Sequence, residues 1–550
     1  GYQYYAQRYS MTDDFPFAEI NVFQLGLYAQ DKWTVSDKLN LTLGLRIDVP
    51  FFMTDLQSND KVAAETYRDG IKIDVSKYPN AKPQFSPRFG FNYKPFDDEN
   101  GSLQIRGGTG LFTGTPPYVW ISNQAGNNGV LFGDLNVRAV KDKNDNIISD
   151  GRPSLGFTGN MDTYKPAEGS ATRSDIAITD PDFKYPSLWT SNIAADYKFG
   201  DGWVATIELL YSKDINAIYH DNIGLYRTEQ FVNDGGAGNA RPYYNGYYSD
   251  REGNQKAANH VVMLRNTSKG HSLYTTFQLQ KNFVDGILKG LYLNGSYSFG
   301  QSRGVTDGTS SVATSAWKYR AALDGNAEEV GYTAGSFDGR LLLSASYTAN
   351  WSKYAATSFG LIYQRYRPFR YSYCYNGDAN GDSQFSNDLM YIPANFDEVK
   401  DHLLPGDFDS QEDAWKAMNA FIEQDPYLSK HRGEYAERNG AVAPFANQLD
   451  LSVSHDIKIY QKNGRSHTLR FSFNIANFLN LLNRNWGVVQ TTVLGNQQYQ
   501  FLTIPKGQGP SAANNYTLKY TMAKDLDETF KDNLNDVSRW QMQFGIKYIF

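Results

Sequence analysis

The stretch LNLTLGLRIDV, residues 39–49, decides how the chain is read. Leu39, Leu41, Leu43, Leu45, Ile47 and Val49 recur at every second position, with Asn40, Thr42, Gly44, Arg46 and Asp48 between them. Side chains of a strand alternate between its two faces, so this is one apolar face backed by a charged one. A helix would smear both sets around its circumference. Just upstream, FQLGLYAQDKWTV at 23–35 alternates in the same way. Only Ser36, Asp37 and Lys38 lie between, which predicts a hairpin.

The unit recurs along the chain. FSPRFGFNYKPF (85–96) and GSLQIRGGTGLF (101–112) meet through Asp97-Asp98-Glu99-Asn100. SNIAADYKF (191–199) and WVATIELLYS (203–212) meet through Gly200-Asp201-Gly202. HSLYTTFQLQKNF (271–283) and LYLNGSYSF (291–299) join near Asp285-Gly286, and RLLLSASYTANW (340–351) and TSFGLIYQRY (357–366) join near Ser352-Lys353. LDLSVSHDIKIY (449–460) and TLRFSFNIANF (468–478) join through Gln461-Lys462-Asn463-Gly464. These are turn residues of the hairpin type. The chain ends on RWQMQFGIKYIF (539–550), a further alternating strand with a partner expected within 486–523. The total is roughly fourteen strands.

The connections between hairpins are long and polar: 50–84, 114–186, 214–269, 301–336, 372–444 and 480–530. A tight turn alternating with a long loop is the pattern of an outer-membrane barrel, with short periplasmic turns and long extracellular loops. A soluble sandwich has no reason to gather every long loop at one end. The faces sort accordingly. Leu, Ile, Phe, Ala and Tyr fill one row, while Arg46, Arg88, Arg106, Glu208, Gln278, Asn294, Arg470 and Asn474 fill the other. Charge at mid-strand is tolerable only against water or a polar plug. Trp33, Tyr93, Tyr197, Phe199, Trp203, Tyr211, Phe283, Tyr297, Phe299 and Trp351 stand at strand ends, where interfacial girdles form. The fold class is therefore all-β, an antiparallel transmembrane β-barrel.

Composition agrees. Aromatics make up 15% of 550 residues, with Tyr 39 and Phe 33, yet hydrophobics reach only 41% and glycine numbers 48. Such a chain suits strands that are apolar on one side only. No run approaches the ~20 apolar residues of a membrane-spanning helix, and GYQYYAQRYSMTDDF at the start has no apolar secretory core. A net charge of −6 speaks against nucleic acid. The single cysteine, Cys374, excludes an internal disulfide.

Several phrases carry a family likeness. LGLYAQDKWTVSDKLNLTLGLRID (25–48), SPRFGFNYKPF (86–96) and LQIRGGTGLFTG (103–114) resemble the barrel of TonB-dependent outer-membrane receptors. GDANGDSQFSNDLMYIP (377–393) and the ending FGIKYIF (544–550) place the likeness nearest the Oar-like and SusC-like branch of the Bacteroidetes. The resemblance implies a barrel of about 22 strands, a plug in its lumen and energy delivered through TonB. It implies that Phe550, with Phe544 and Tyr548, belongs to the C-terminal signal read by the barrel assembly machinery. It also leaves room for a surface lipoprotein lid. The chain departs from the pattern: residues 1–550 read as barrel throughout, with no plug-like mixed domain, no TonB box and too few strands. The simplest account is the C-terminal portion of a larger protein, closed by strands not found here. The other is a smaller, plugless barrel. Open edges are not tolerated in lipid, so further strands are expected to close the sheet.

Candidate sites lie in the loops. In NGDANGDSQFSNDL (376–389), Asp378, Asn380 and Asp382 have the 1, 3, 5 spacing of calcium loops, and Gly381 relaxes the turn. Position 12 is Leu389 rather than the bidentate Glu, and Asp388 stands one residue short. A solvated turn is the plainer alternative. No other cofactor is called for. DKNDN at 142–146 (Asp142, Asn144, Asn146) is a poorer version. Tyr118 and Trp120 in TGTPPYVWISNQ, and Tyr243 and Tyr244 in NARPYYNGYYSD, are the aromatic platforms a sugar or peptide would use; loop-to-loop packing is the alternative. DSQEDAWKAMNAFIEQDPYL (409–428) predicts a helix capped by Asp409 or Ser410. GGTGLFTG (107–114) lacks phosphate-loop spacing. The seven histidines show no metal pairing, His455 and His467 reading as interfacial, and Glu328-Glu329 and Asp525/Asp527 read as solvated. No catalytic motif is present, so binding and gating, not catalysis, are expected.

Three functions fit: TonB-dependent import of an oligosaccharide, peptide or metal complex; a passive or secretion-associated channel; and a surface adhesin. All three place the chain in outer-membrane lipid of a Gram-negative bacterium.

Overall fold

The computed structural model describes every residue except 1–3, 12–16, 100, 139, 142–146, 149–159, 161–162, 164–173, 233–240, 309, 461–465, 495–497, 511–515 and 523–527. One sheet dominates. Its long strands are β1 (Val22–Ser36), β2 (Leu39–Phe52), β3 (Gln84–Asp98), β4 (Gly101–Thr113), β5 (Ser187–Phe199), β6 (Trp203–Asp214), β7 (Gly270–Asn282), β8 (Leu291–Gly304), β9 (Arg340–Ser352), β10 (Ala355–Tyr366), β11 (Ala446–Tyr460), β12 (Ser466–Ala476) and β13 (Gln541–Ile549). Each pairs antiparallel with its neighbours in chain order, and Gly331–Tyr332 adds a short fourteenth strand beside β8. Among the described residues, β1 and β13 pair on one side only within this sheet. Because every connection is a meander, the tight turns gather at one end and the long loops at the other.

The register keeps the two faces apart. Ala29 stands opposite Leu45, and Leu43 opposite Phe89. Leu43, Leu45, Phe277, Leu279, Leu343 and Phe359 are exposed along one face. On the other, Arg46 bonds Asp48 at 2.7 Å, Arg106 bonds Asp196 at 2.8 Å with Glu208 at 3.8 Å, and Arg470 bonds Asp456 at 2.6 Å. Gln278 bonds Asn294 at 2.8 Å. Exposure of large apolar chains strand after strand is stable only in lipid, where a charge at mid-depth costs about 2–4 kcal/mol. At the turn end, Phe96, Tyr197, Phe199 and Trp203 make a chain of ring contacts with centroids 6.3, 5.2 and 6.3 Å apart. Gly107 in the 107–114 stretch is explained locally. A Cβ on Gly107 would stand 2.8 Å from the Phe91 ring and 2.6 Å from the Asn192 carbonyl.

The long loops fold into a cap with cores of its own. Ala217–Asn222, Ala258–Thr267 and Ser174–Thr179 form a three-stranded sheet that joins the second and third loops, the last pair parallel. Arg370–Tyr373 pairs with Gln498–Tyr499 and ties the fifth loop to the sixth. The largest core combines Tyr371, Tyr373, Tyr375, Phe421, Phe501 and Tyr516. Of the two helices named here, α1 spans Tyr118–Gly126 and α2 Gln411–Gln424. As the sequence indicates, Ser410 caps α2, accepting from the Asp413 amide, and Ala414, Met418, Phe421 and Ile422 form its buried stripe.

The terminal strand corrects one expectation. Its partner is β12, with Phe473 opposite Phe544, and not a strand within 486–523. That region contributes Gln490–Thr492, Gln498–Tyr499, Leu502–Thr503 and Leu518–Tyr520 to the cap. Tyr499, Leu502, Leu518 and Tyr520 are buried there among other loops, so their apolar character reports a local core rather than a membrane face. The turn at 461–464 and the DKNDN stretch at 142–146 lie outside the described residues, as do Asp525 and Asp527. Among the described residues no helix is long and apolar enough to cross a membrane.

Candidate functional site

Three places can carry function: the end of β13, the 377–389 loop and a chamber inside the cap. On β13 the rings of Phe473 and Phe544 lie 4.8 Å apart, and the Tyr548 hydroxyl meets His467 Nδ1 at 2.6 Å. Phe550 stacks on Tyr548 and is 91% exposed. The terminal aromatics therefore point away from the protein, as a partner-read or lipid-facing end requires. His455 pairs with Thr357 in the neighbouring strand at 2.9 Å.

The polar heart of the 377–389 loop is buried, while Ser383 and Phe385 at its tip are exposed. Asn380, Asp382, Asn387 and Asp388 are all nearly inaccessible. Asp378 accepts from the amides of Asn380, Gly381 and Ser383 at 3.2, 2.6 and 2.8 Å. Asp388 receives Arg241 at 3.0 Å and the Ala379 amide at 2.8 Å, and Arg241 also donates to the Leu389 carbonyl. Burial, then repulsion from Asp388 and Asp378, pushes the Asp382 carboxyl well above the usual carboxylate range. Burial likewise raises Asp378. Gly381 adopts φ +83, and a Cβ there would lie 2.2 Å from the Tyr244 carbonyl.

The four aromatic candidates are dispersed. Tyr118 and Trp120 are half-buried on α1; Tyr118 meets the Tyr185 hydroxyl at 3.1 Å and Trp120 donates to the Ser310 carbonyl at 2.9 Å. Tyr243 belongs to the largest cap core, and Tyr244 to another with Trp317. The Tyr244 hydroxyl donates to Asp324 at 2.7 Å, and burial drives its pKa up. These rings pack loop on loop; the structure does not bring them to one open face. Glu328 and Glu329 are not simply solvated: Glu328 accepts from Thr267 at 2.6 Å, and Glu329 from the Leu323 amide at 2.8 Å.

The sequence reading misses a polar chamber of about 310 Å³, lined by Thr306, Asp307, Tyr319, Arg320, Arg438 and Asn439 among others. Arg320 donates to the carbonyls of Val305, Gly325 and Ala327; Arg438 to those of Val305, Gly304 and Gly331. Each keeps a buried Nε without a partner among the described residues. Burial lowers both guanidinium pKa values from their ordinary level. Isolated arginines in two loops far apart in sequence give no periodic or motif signal, so only the fold reveals them. Nearby, His220 is buried and its Nε2 has no partner; burial, reinforced by Arg320, lowers it to about 4. Cys374 is fully buried, its amide donating to the Tyr499 carbonyl at 3.0 Å, and burial raises its thiol pKa.

No curated protein matches the chain. Among solved structures it is similar to the siderophore receptor PirA from Acinetobacter baumannii, at 8% identity and a TM-score of 0.39 over 87% of this chain and 47% of that one. It is similar to the outer membrane transporter YddB from Escherichia coli, at 9% identity and 0.37 over 96% and 54%. It is also similar to the FrpB iron transporter from Neisseria meningitidis, at 12% identity and 0.36 over 84% and 41%. The chain thus spans about half the length of these structures. The family model of the outer membrane beta barrel domain matches residues 5–516. With its lipid-suited outer rows and its loops gathered at one end, the chain belongs to the outer membrane beta-barrel domain family and resides in the outer membrane of a Gram-negative bacterium.

Proposed function

We propose that the chain forms the C-terminal wall and loop cap of a TonB-dependent importer of the SusC-like or Oar-like kind. The observation that carries this reading is the two-faced wall. One face suits lipid, the other is lined with ion pairs, and its two edges still call for further strands. A closed barrel of more than the 13 strands in the main path has an interior wide enough for a solute route and a plug. A nutrient binds first in the cap and then passes along the polar face when TonB deforms a plug supplied by the rest of the protein. Oligosaccharides, peptides and metal complexes are the candidate cargo. A surface lipoprotein is a compatible lid, and the aromatic end of β13 is suited to the assembly machinery.

The test uses the complete protein in its native host. Cargo uptake should collapse when TonB is removed while surface levels stay unchanged. Uptake that survives without TonB would replace import by a passive channel.

A further inference from the structure

We propose that the 377–389 loop is a calcium site that locks the fifth loop of the cap onto the third. Three carboxylates, Asp378, Asp382 and Asp388, share the loop with one bonded guanidinium, that of Arg241, which is spent on Asp388 and the Leu389 carbonyl. Asp382 is left inside the protein with no ion pair among the described residues. It receives the Gln384 amide at 2.8 Å and two long contacts, from Asn380 Nδ2 at 3.4 Å and Asn387 Nδ2 at 3.5 Å. A buried carboxylate in that state is strongly disfavoured unless a proton or a cation neutralises it.

A second observation points to a ligand here. Asn387 is 2% exposed, and among the described residues its side-chain oxygen has no hydrogen-bond partner, although the same amide sits against Asp382. Amide orientation is set by surroundings, and a half-turn would direct this oxygen toward the carboxylate, a pairing that is repulsive unless a bound cation or a proton on Asp382 stands between them. Among the described residues no three acidic or histidine side chains converge by themselves. The donor set is therefore mixed: carboxylates at 378 and 382, amide oxygens at 380 and 387, and loop carbonyls. Hard, mixed oxygen donors in a pliable loop suit calcium, which takes six to eight of them, better than magnesium with its demand for an octahedron. The site lies where the loops are already laced together, since the Tyr244 amide donates to the Asn380 carbonyl at 2.8 Å.

The experiment uses the complete protein, purified in detergent and stripped with chelator. Terbium should bind with luminescence excited through the adjacent tyrosines, and calcium should displace it with a Kd of about 10⁻⁴–10⁻³ M, the range of extracellular modules. Asp382→Asn and Asn387→Ala should each weaken calcium by at least about tenfold, as expected when ligand charge or count falls. Asp97→Asn, at the turn end of β3, should change nothing. Asn387→Ala keeps the test readable if Asp382→Asn fails to fold. Absence of calcium displacement, equal affinity for magnesium, or unchanged binding in Asn387→Ala would overturn the proposal. None of these readouts depends on transport.

Discussion

The wall and the cap are built from the same residue types for opposite solvents. In the wall, Phe277 is 47% exposed and Leu43 51%; in the cap, Phe421 is 1% exposed and Tyr373 0%. A strand of the wall needs no protein neighbour over its apolar row because lipid supplies the contact. The loops stand in water, so they must bury their own apolar surface. One chain thus carries two stability units, one completed by the bilayer and one by itself.

Substitutions can separate these units. The largest effect is expected from Phe421→Ala, which empties the main cap core and should cost about 3–5 kcal/mol. Limited proteolysis should show the loops cut while the strand signal in circular dichroism survives. If the wall melts with the cap, the two are one unit. Next is Leu45→Arg on the lipid row, with an expected loss of about 2–4 kcal/mol in folding into vesicles and little change in cap proteolysis.

A smaller effect is expected from pH. Above the ordinary histidine value neither folded nor unfolded His220 is charged. Between there and about 4, only the unfolded chain takes the proton, so stability falls as pH falls through that window. At pH 5 the loss should be about 2 kcal/mol from this group, and thermal melts of His220→Leu should lack that share. The smallest effect on stability should come from deleting Phe550, which is almost fully exposed. Its expected consequence is kinetic: less protein assembled at the surface, with an unchanged melting curve for what does assemble.

The wall was legible because its alternation is enforced by two immiscible surroundings, and Leu39 to Val49 shows it without exception. Hairpin order followed from the tight turns. The cap was not legible. In YSYCY, 371–375, every residue is buried, so no period of two survives to mark a strand. Tyr243 and Tyr244 read equally as ligand platforms or as loop-to-loop packing, because composition alone does not distinguish a ring that faces a ligand from one that faces another loop. Helix α2 was the exception, since its cap and its stripe are both local signals. The 376–389 spacing was visible, but its burial was not, because that depends on Arg241 and Tyr244 from another loop.

Cys374 gives this division a clock. It is the chain's one thiol, it lies in the cap, and the wall strands have none. A thiol reagent can reach it only when the loops part, so its labelling rate measures the opening free energy of the cap in intact membranes. Calcium, cargo and acid should each move that rate, and the wall would stay silent.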